Sequence, residues 1–142
     1  MKKHLLSLLM VVMFSLNSFA QLPMDPNVRY GKLENGMTYY IRHNEKPDNR
    51  ADFYIAQKVG SILEEENQRG LAHFLEHKMF DMPDGRDISA ELAELGASVN
   101  AFTSYDMTAY YFSCTQHFEK CLDILLQFVS TPCFTKESVE KE

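Results

Sequence analysis

The sequence predicts an α+β domain of two layers, in which helices pack on one face of a mostly antiparallel sheet. Segments with the two-residue alternation of strands and segments with the helical period are interleaved along residues 28–142. Short, hairpin-type connections join the strands, as in antiparallel sheets. The chain has 142 residues, of which 45% are hydrophobic and 24% charged, so its composition indicates about one small globular domain.

The first twenty residues have the pattern of a secretory signal peptide. A basic start at residues 2–4 precedes an apolar run over 5–16, and residues 18–20 form a small-x-small cleavage site before Gln21. The apolar run is shorter than the roughly 20 residues that a membrane span needs. We therefore expect an exported protein, periplasmic or extracellular, whose mature part begins at Gln21 and has no membrane span.

The net charge argues against a nucleic-acid partner, and the number of cysteines limits the possible disulfides. The formal net charge of −6 gives no electrostatic support for nucleic-acid binding. Export would permit disulfides, but three cysteines cannot all pair within the chain. Because Cys114 ends a predicted strand and Cys121 lies on an apolar helix face, both are predicted to be small buried hydrophobes.

The first predicted elements are two strands that form a hairpin. Residues 28–33 and 37–42 have strand composition, and Asn35 and Gly36 lie between them. Both of these residues tolerate positive φ, so the pair predicts a tight turn. A polar loop with proline, aspartate and asparagine follows the hairpin.

A third strand is predicted over residues 52–61. Phe53, Ile55 and Val59 fall on one of its faces by strict alternation. Three carboxylates follow at residues 64–66. Such a run can suggest a metal site, but a solvated charge run before a helix is the better interpretation, since acidic groups suit a helix N-terminus.

The next predicted helix, over residues 68–80, carries the motif on which the function depends. His73, Glu76 and His77 lie at i, i+3 and i+4, which places them on one helix face. Two imidazoles one turn apart can bind one metal ion from the same side, and the carboxylate between them can act as a base toward water. This order of residues, H-x-x-E-H, is the inverted zinc-peptidase signature.

A blander interpretation is that the trio is a solvated polar face. Its neighbours argue against this, because they are apolar: Leu71, Ala72, Phe74, Leu75, Met79 and Phe80. A helix that is apolar almost all round is expected to be buried. Buried imidazole and carboxylate groups need partners, and a metal ion is the simplest one.

The remaining elements complete the two layers. A short helix is predicted over 87–95 with Gly96 as its stop, followed by strands over 97–104 and 108–114. A long amphipathic helix over 117–131 follows, and then a further helix capped by Thr135. The apolar stripe of the long helix is predicted to be core, and it consists of Phe118, Cys121, Leu122, Leu125, Leu126 and Val129.

Two segments in the same order resemble one known family. Residues 70–80, GLAHFLEHKMF, are similar to the active-site helix of the pitrilysin/insulinase family of zinc peptidases, the inverzincins. Residues 95–104 are similar to that family's N-A-x-T strand. The resemblance implies a Zn²⁺-dependent endopeptidase in which His73 and His77 are metal ligands and Glu76 is the general base.

The resemblance also implies how a substrate is bound. Asn100, Ala101 and Thr103 match the strand whose backbone pairs with an extended peptide or protein substrate. Without the family, these residues would be interpreted as an ordinary strand. Lys78 occupies a position at which many members have methionine, whereas one subgroup has lysine.

The family's third zinc ligand is a glutamate on a later helix, seven residues after a glutamate that orients the site. Glu142 matches the earlier of the two, so the ligand is expected beyond Glu142, and Glu137 or Glu140 would substitute only by chance. The sequence is thus expected to be an N-terminal part, inactive alone, that needs the C-terminal half of the same protein or a partner subunit. The alternative is a non-catalytic peptide-binding subunit of the same family.

Overall fold

A computed structural model describes residues 23–140, which fall into two compact units. The first unit ends at Glu45 and the second begins at Lys46. The predicted signal peptide, residues 1–20, and Glu142 lie outside the described residues, so both remain predictions. Between residues 23 and 140, no helix has the length and the apolar character that crossing a membrane requires.

The first unit is the predicted hairpin. Strands β1 (Val28–Lys32) and β2 (Thr38–Arg42) pair antiparallel in a regular register. The Gly36 amide donates to the Leu33 carbonyl over 2.9 Å, and Gly36 has a φ of 89°. Asn35 does not share this left-handed conformation. The predicted tight turn is therefore present, and a β-turn that ends in one left-handed glycine closes it.

The second unit contains a three-stranded antiparallel sheet. Its strands are β3 (Ala51–Gln57), β4 (Ser98–Thr103) and β5 (Thr108–Cys114), in the spatial order β3-β5-β4. Tyr110 and Phe112 on the central strand share a buried face, as the alternation predicted. In the sheet as described, β4 is an edge strand.

Within residues 23–140, four α-helices accompany this sheet. They are α1 (Leu71–Lys78), α2 (Ile88–Glu94), α3 (Phe118–Ser130) and α4 (Lys136–Glu140), and two 3-10 turns precede α1 at Ser61–Leu63 and Glu66–Gln68. Local capping explains several of these bounds. The Asp87 carboxylate accepts from the Ala90 amide at the start of α2, and the Thr135 hydroxyl accepts from the Ser138 amide at the start of α4.

Helix α1 begins three residues later than the sequence predicted. Gly70 has a φ of 92°, a left-handed conformation that a continuous helix from residue 68 cannot contain. The residues before it form a separate 3-10 turn, Glu66–Gln68. Likewise β3 ends at Gln57, and Val59 beyond it is exposed rather than on the apolar face.

The core of the second unit lies between one face of the sheet and the helices. Its buried members are Met82, Ile88, Leu92, Ala97, Tyr110, Phe112, Cys114, Cys121, Ile124, Leu125 and Phe128. On the opposite face of the sheet, Tyr54 is exposed and stacks on Tyr111 with ring centroids 5.3 Å apart. Helices on one face of an antiparallel sheet confirm the predicted α+β class.

The buried face of α3 differs in part from the predicted stripe. Cys121 and Leu125 are buried as predicted, but Ile124 and Phe128 are buried too, whereas Leu126 is 39% exposed. Phe118, also assigned to the stripe, is 39% exposed. Apolar residues extend around so much of this helix that their period does not decide which side faces the sheet.

The two core cysteines behave as the sequence predicted. Cys114 and Cys121 are buried free thiols, and Cys133 is half-buried. Burial, with Cys121 as a close neighbour, raises the pKa of the Cys114 thiol to about 11. Cys114 is therefore protonated near neutral pH and packs as an apolar side chain.

Candidate metal centre

A carboxylate from outside the helix fixes the start of α1. Gly70 at the N-cap has no side chain, and the Glu64 carboxylate accepts from the Gly70 and Ala72 amides, each over 2.8 Å. These bonds, that from Ala72 first, lower the pKa of Glu64. The Glu64 carboxylate therefore caps the helix that holds the motif, as acidic groups at a helix N-terminus were expected to do, although it is bonded to two amides and not merely solvated.

The two motif histidines converge. Nε2 of His73 and Nε2 of His77 are 3.1 Å apart, and the rings meet edge to face. Two imidazole nitrogens on one tetrahedral zinc ion, each at roughly 2.0–2.1 Å, would be about 3.4 Å apart. One donor atom from each of His73, Glu76 and His77 lies within 4.8 Å of the others. The donor set and its spacing thus fit a zinc ion.

Burial differs among the three residues. Glu76 is buried, whereas His73 and His77 are exposed, and so are Leu71 and Leu75 on the same helix. The expectation that the whole trio is buried is therefore wrong for the described chain. Helix α1 packs on β4 and on the 3-10 turn Ser61–Leu63, and both imidazoles remain exposed.

The buried Glu76 carboxylate is hydrogen-bonded by the sheet. The Thr103 hydroxyl donates to its Oε2 atom, and Thr103 in turn lies beside Thr108, with the two hydroxyl oxygens 3.3 Å apart. The Tyr110 hydroxyl lies in the same region. Burial, and then the charge of Glu76, raises the pKa of Tyr110 to about 12, which keeps this phenol neutral.

The predicted substrate strand lies beside the histidines only in part. A groove of about 590 Å³ is lined by Ser61, Glu64, Gly70, His73, Glu76 and residues 101–105. It brings Ala101 and Thr103 together with the motif. Asn100 is exposed outside this lining, and its side-chain carbonyl accepts from the Ala101 amide over 2.8 Å.

Two contacts near the site did not emerge from the sequence. Lys78, next to the motif, is buried; its amine is paired with Asp81 and donates to the Ser138 carbonyl of α4 over 2.6 Å. A lysine within an apolar run was the only local signal for this contact. The bond from Thr103 to Glu76 spans 27 residues of sequence, so no local pattern could indicate it.

Among residues 23–140, no further carboxylate lies near the two histidines to serve as the third metal ligand. Within that range, His73, Glu76 and His77 are the only residues that form a group able to hold a metal ion. Glu137 and Glu140, which could substitute only by chance, are not part of it.

Comparison with known proteins agrees with this geometry. The family model for insulinase, peptidase family M16, matches residues 39–142. The uncharacterized zinc protease YmfH of Bacillus subtilis is 40% identical over 129 residues, which are 84% of this chain and 30% of that protein. The zinc protease PQQL-like of Arabidopsis thaliana is 41% identical over 124 residues, 80% of this chain and 13% of that protein.

The fold comparison gives the same result. The first half of the periplasmic protease PqqL from Escherichia coli superposes with a TM-score of 0.77 and 32% identity, over 87% of this chain and 29% of that one. The chain thus spans less than a third of the length of these relatives. Because the family model covers more than half of the chain, the protein is a member of the insulinase family of peptidases, M16.

Proposed function

We propose that this protein is the N-terminal part of a zinc-dependent endopeptidase. His73 and His77 bind the zinc ion, and Glu76 is the general base. The observation that supports this most strongly is the convergence of two exposed imidazoles, 3.1 Å apart, beside one buried carboxylate. The names of the relatives, which are zinc proteases, support it as well. A bound zinc ion would supply Lewis-acid chemistry at the scissile carbonyl.

Each neighbouring residue has a defined part in this proposal. Glu76, which lines the groove, accepts the proton of the attacking water. The backbone of Asn100, Ala101 and Thr103 pairs with an extended peptide or protein substrate. The edge position of β4 in the described sheet supports this mode of strand addition.

The proposal also requires groups outside the described residues. Catalytic zinc sites commonly have three protein ligands, and the third is proposed to be a glutamate seven residues beyond Glu142, with Glu142 orienting the site. The C-terminal half of the same protein or a partner subunit would complete the active site. Export to the periplasm or the extracellular space belongs to the same proposal, and a mature protein that begins at Gln21 would support it.

The experiment is the Glu76→Gln substitution in the full-length gene product. We expect peptide cleavage to fall by at least about a hundredfold, because the amide cannot accept a proton from water. Zinc content, measured by atomic absorption after dialysis, should remain at the wild-type level, since both imidazoles are unchanged. Glu66→Gln is the matched control. The Glu66 carboxylate is exposed and pairs with Arg69, and it does not line the groove, so this variant should retain full activity.

Cleavage that survives Glu76→Gln would refute the catalytic role of Glu76. A full-length wild-type protein that takes up no zinc and cleaves no peptide would favour the alternative, a non-catalytic peptide-binding subunit of this family.

A further inference from the structure

We propose that Thr103 is a positioning residue for Glu76, an inference that rests on the proposed function. The Thr103 hydroxyl donates to Oε2 of Glu76 across the interface between β4 and α1. Along β4, Phe102 points to the open face of the sheet, whereas Thr103 is half-buried on the helix side. The side chain of Thr103 is therefore turned toward the base, although its backbone belongs to the predicted substrate strand.

The count of hydroxyl protons assigns the direction of this bond. Thr103 and Thr108 are cross-strand partners, and their oxygens are 3.3 Å apart. Each hydroxyl has one proton, and that of Thr108 is donated to the Val59 carbonyl over a shorter distance, 2.9 Å. The Thr103 proton is thus the one available to the Glu76 carboxylate.

The position of the Thr103 hydroxyl is set by the sheet and not by the helix that carries Glu76. The ladder register places Thr103 opposite Thr108, and the Thr108 hydroxyl is bonded to the Val59 carbonyl, two residues beyond the end of β3. A glutamate carboxylate otherwise rotates easily, since its terminal torsion has a broad, two-fold preference. A fixed donor on Oε2 holds the plane of the carboxylate and leaves Oε1 to act on water.

A purely structural role would have different consequences. If the hydroxyl only satisfied a buried carboxylate, its removal would lower the stability of the fold and leave the catalytic rate of the folded enzyme unchanged. If it positions the base, the rate at saturating substrate falls, while substrate and zinc binding do not.

The test compares Thr103→Val with Thr103→Ser in the full-length gene product. Valine keeps the shape and removes the hydroxyl, so kcat should fall about tenfold to a hundredfold, with KM and zinc affinity within about twofold of wild type. Serine retains the hydroxyl and should restore most of the rate. Ser113→Ala is the matched control, because Ser113 and Ser98 form another hydroxyl pair on the same two strands, 3.3 Å apart.

A second readout needs neither zinc nor turnover. In crystal structures of the metal-free protein, Glu76 should keep one conformer in wild type and Thr103→Ser, and lose it in Thr103→Val. The proposal is overturned by a Thr103→Val enzyme with wild-type kcat, by serine being as impaired as valine, or by an unchanged Glu76 conformer. If Thr103→Val does not fold, kcat and the Glu76 conformer are compared between Thr103→Ala and Thr103→Ser instead, and the same outcomes support or overturn the proposal.

The Glu76→Gln variant separates this inference from the function on which it rests. If Glu76→Gln remains active, the proposed function itself fails. If Glu76→Gln is inactive while Thr103→Val is fully active, only the positioning role of Thr103 is refuted.

Discussion

At the scale of single residues, Glu64 links the stability of α1 to pH. Its pKa in the folded protein is lowered by the Ala72 and Gly70 amides, so the carboxylate stabilises the fold above the unfolded pKa near 4.5. That contribution is lost as the pH falls through the lower, folded pKa. We therefore expect Glu64→Gln to lower the melting temperature at pH 6, and the difference from wild type to shrink below about pH 4.

The measurement is the melting temperature of both proteins between pH 3 and pH 7, at about 0.1 M salt. Glu94→Gln is the control, because Glu94 is exposed in the last turn of α2, where a negative charge opposes the helix dipole. Its difference from wild type should have the opposite sign. A Glu64→Gln difference that stays constant across this pH range would refute the charged cap.

The sequence predicted contacts between site residues that are close together along the chain, but not contacts between residues that are far apart. The spacing of His73, Glu76 and His77 is a local property of one helix turn, and the structure brings their donor atoms together. The bond that Thr103 donates to Glu76 and the bond that the Gly70 amide donates to Glu64 both connect separate elements. Sequence periodicity contains no information on such contacts, so the groups that support the site emerged only from the fold.

At the scale of elements, Lys78 connects the motif helix to α4. Its amine is buried, is paired with Asp81 and donates to the Ser138 carbonyl. Lys78→Met would fill a similar volume but remove the donor to that carbonyl. We expect it to lower the free energy of unfolding by about 1–3 kcal/mol and to increase hydrogen exchange of the α4 amides.

Lys136→Met is the matched control for this lysine. Lys136 is 88% exposed and pairs with Glu140 over 3.7 Å, and such a surface pair contributes at most about 0.5 kcal/mol. Urea unfolding and hydrogen exchange measured on both variants would separate the two lysines. Equal, small effects would mean that Lys78 does not hold α4 against the motif helix.

The ends of helices were predictable where a residue next to the terminus forms the cap, through its side chain or through a left-handed backbone. The ends predicted at Asp87, Gly96 and Thr135 are correct. Asp87 and Thr135 each bond to an amide three residues later, and Gly96 ends its helix with a left-handed backbone. The start of α1 was predicted wrongly. Gly70 interrupts the helical path there, and the cap comes from Glu64, which is six residues away.

At the scale of the whole molecule, composition and alternation predicted two layers correctly. The strand period identified β5 as core, since Tyr110 and Phe112 are both buried. The rotation of α3 about its own axis was not predictable, because apolar residues cover more than one of its faces. Which of them is buried depends on how the sheet and α2 meet the helix, and that is a property of the assembled unit.

Leu125 and Leu126 test this rotation directly. Leu125 is fully buried and Leu126 is 39% exposed, although both belong to the predicted stripe. Leu125→Ala should cost about 2–5 kcal/mol of unfolding free energy, through lost burial and a cavity. Leu126→Ala should cost roughly 1 kcal/mol or less. The two substitutions change helix propensity equally, so urea unfolding isolates burial, and equal costs would mean that α3 presents a different face to the core.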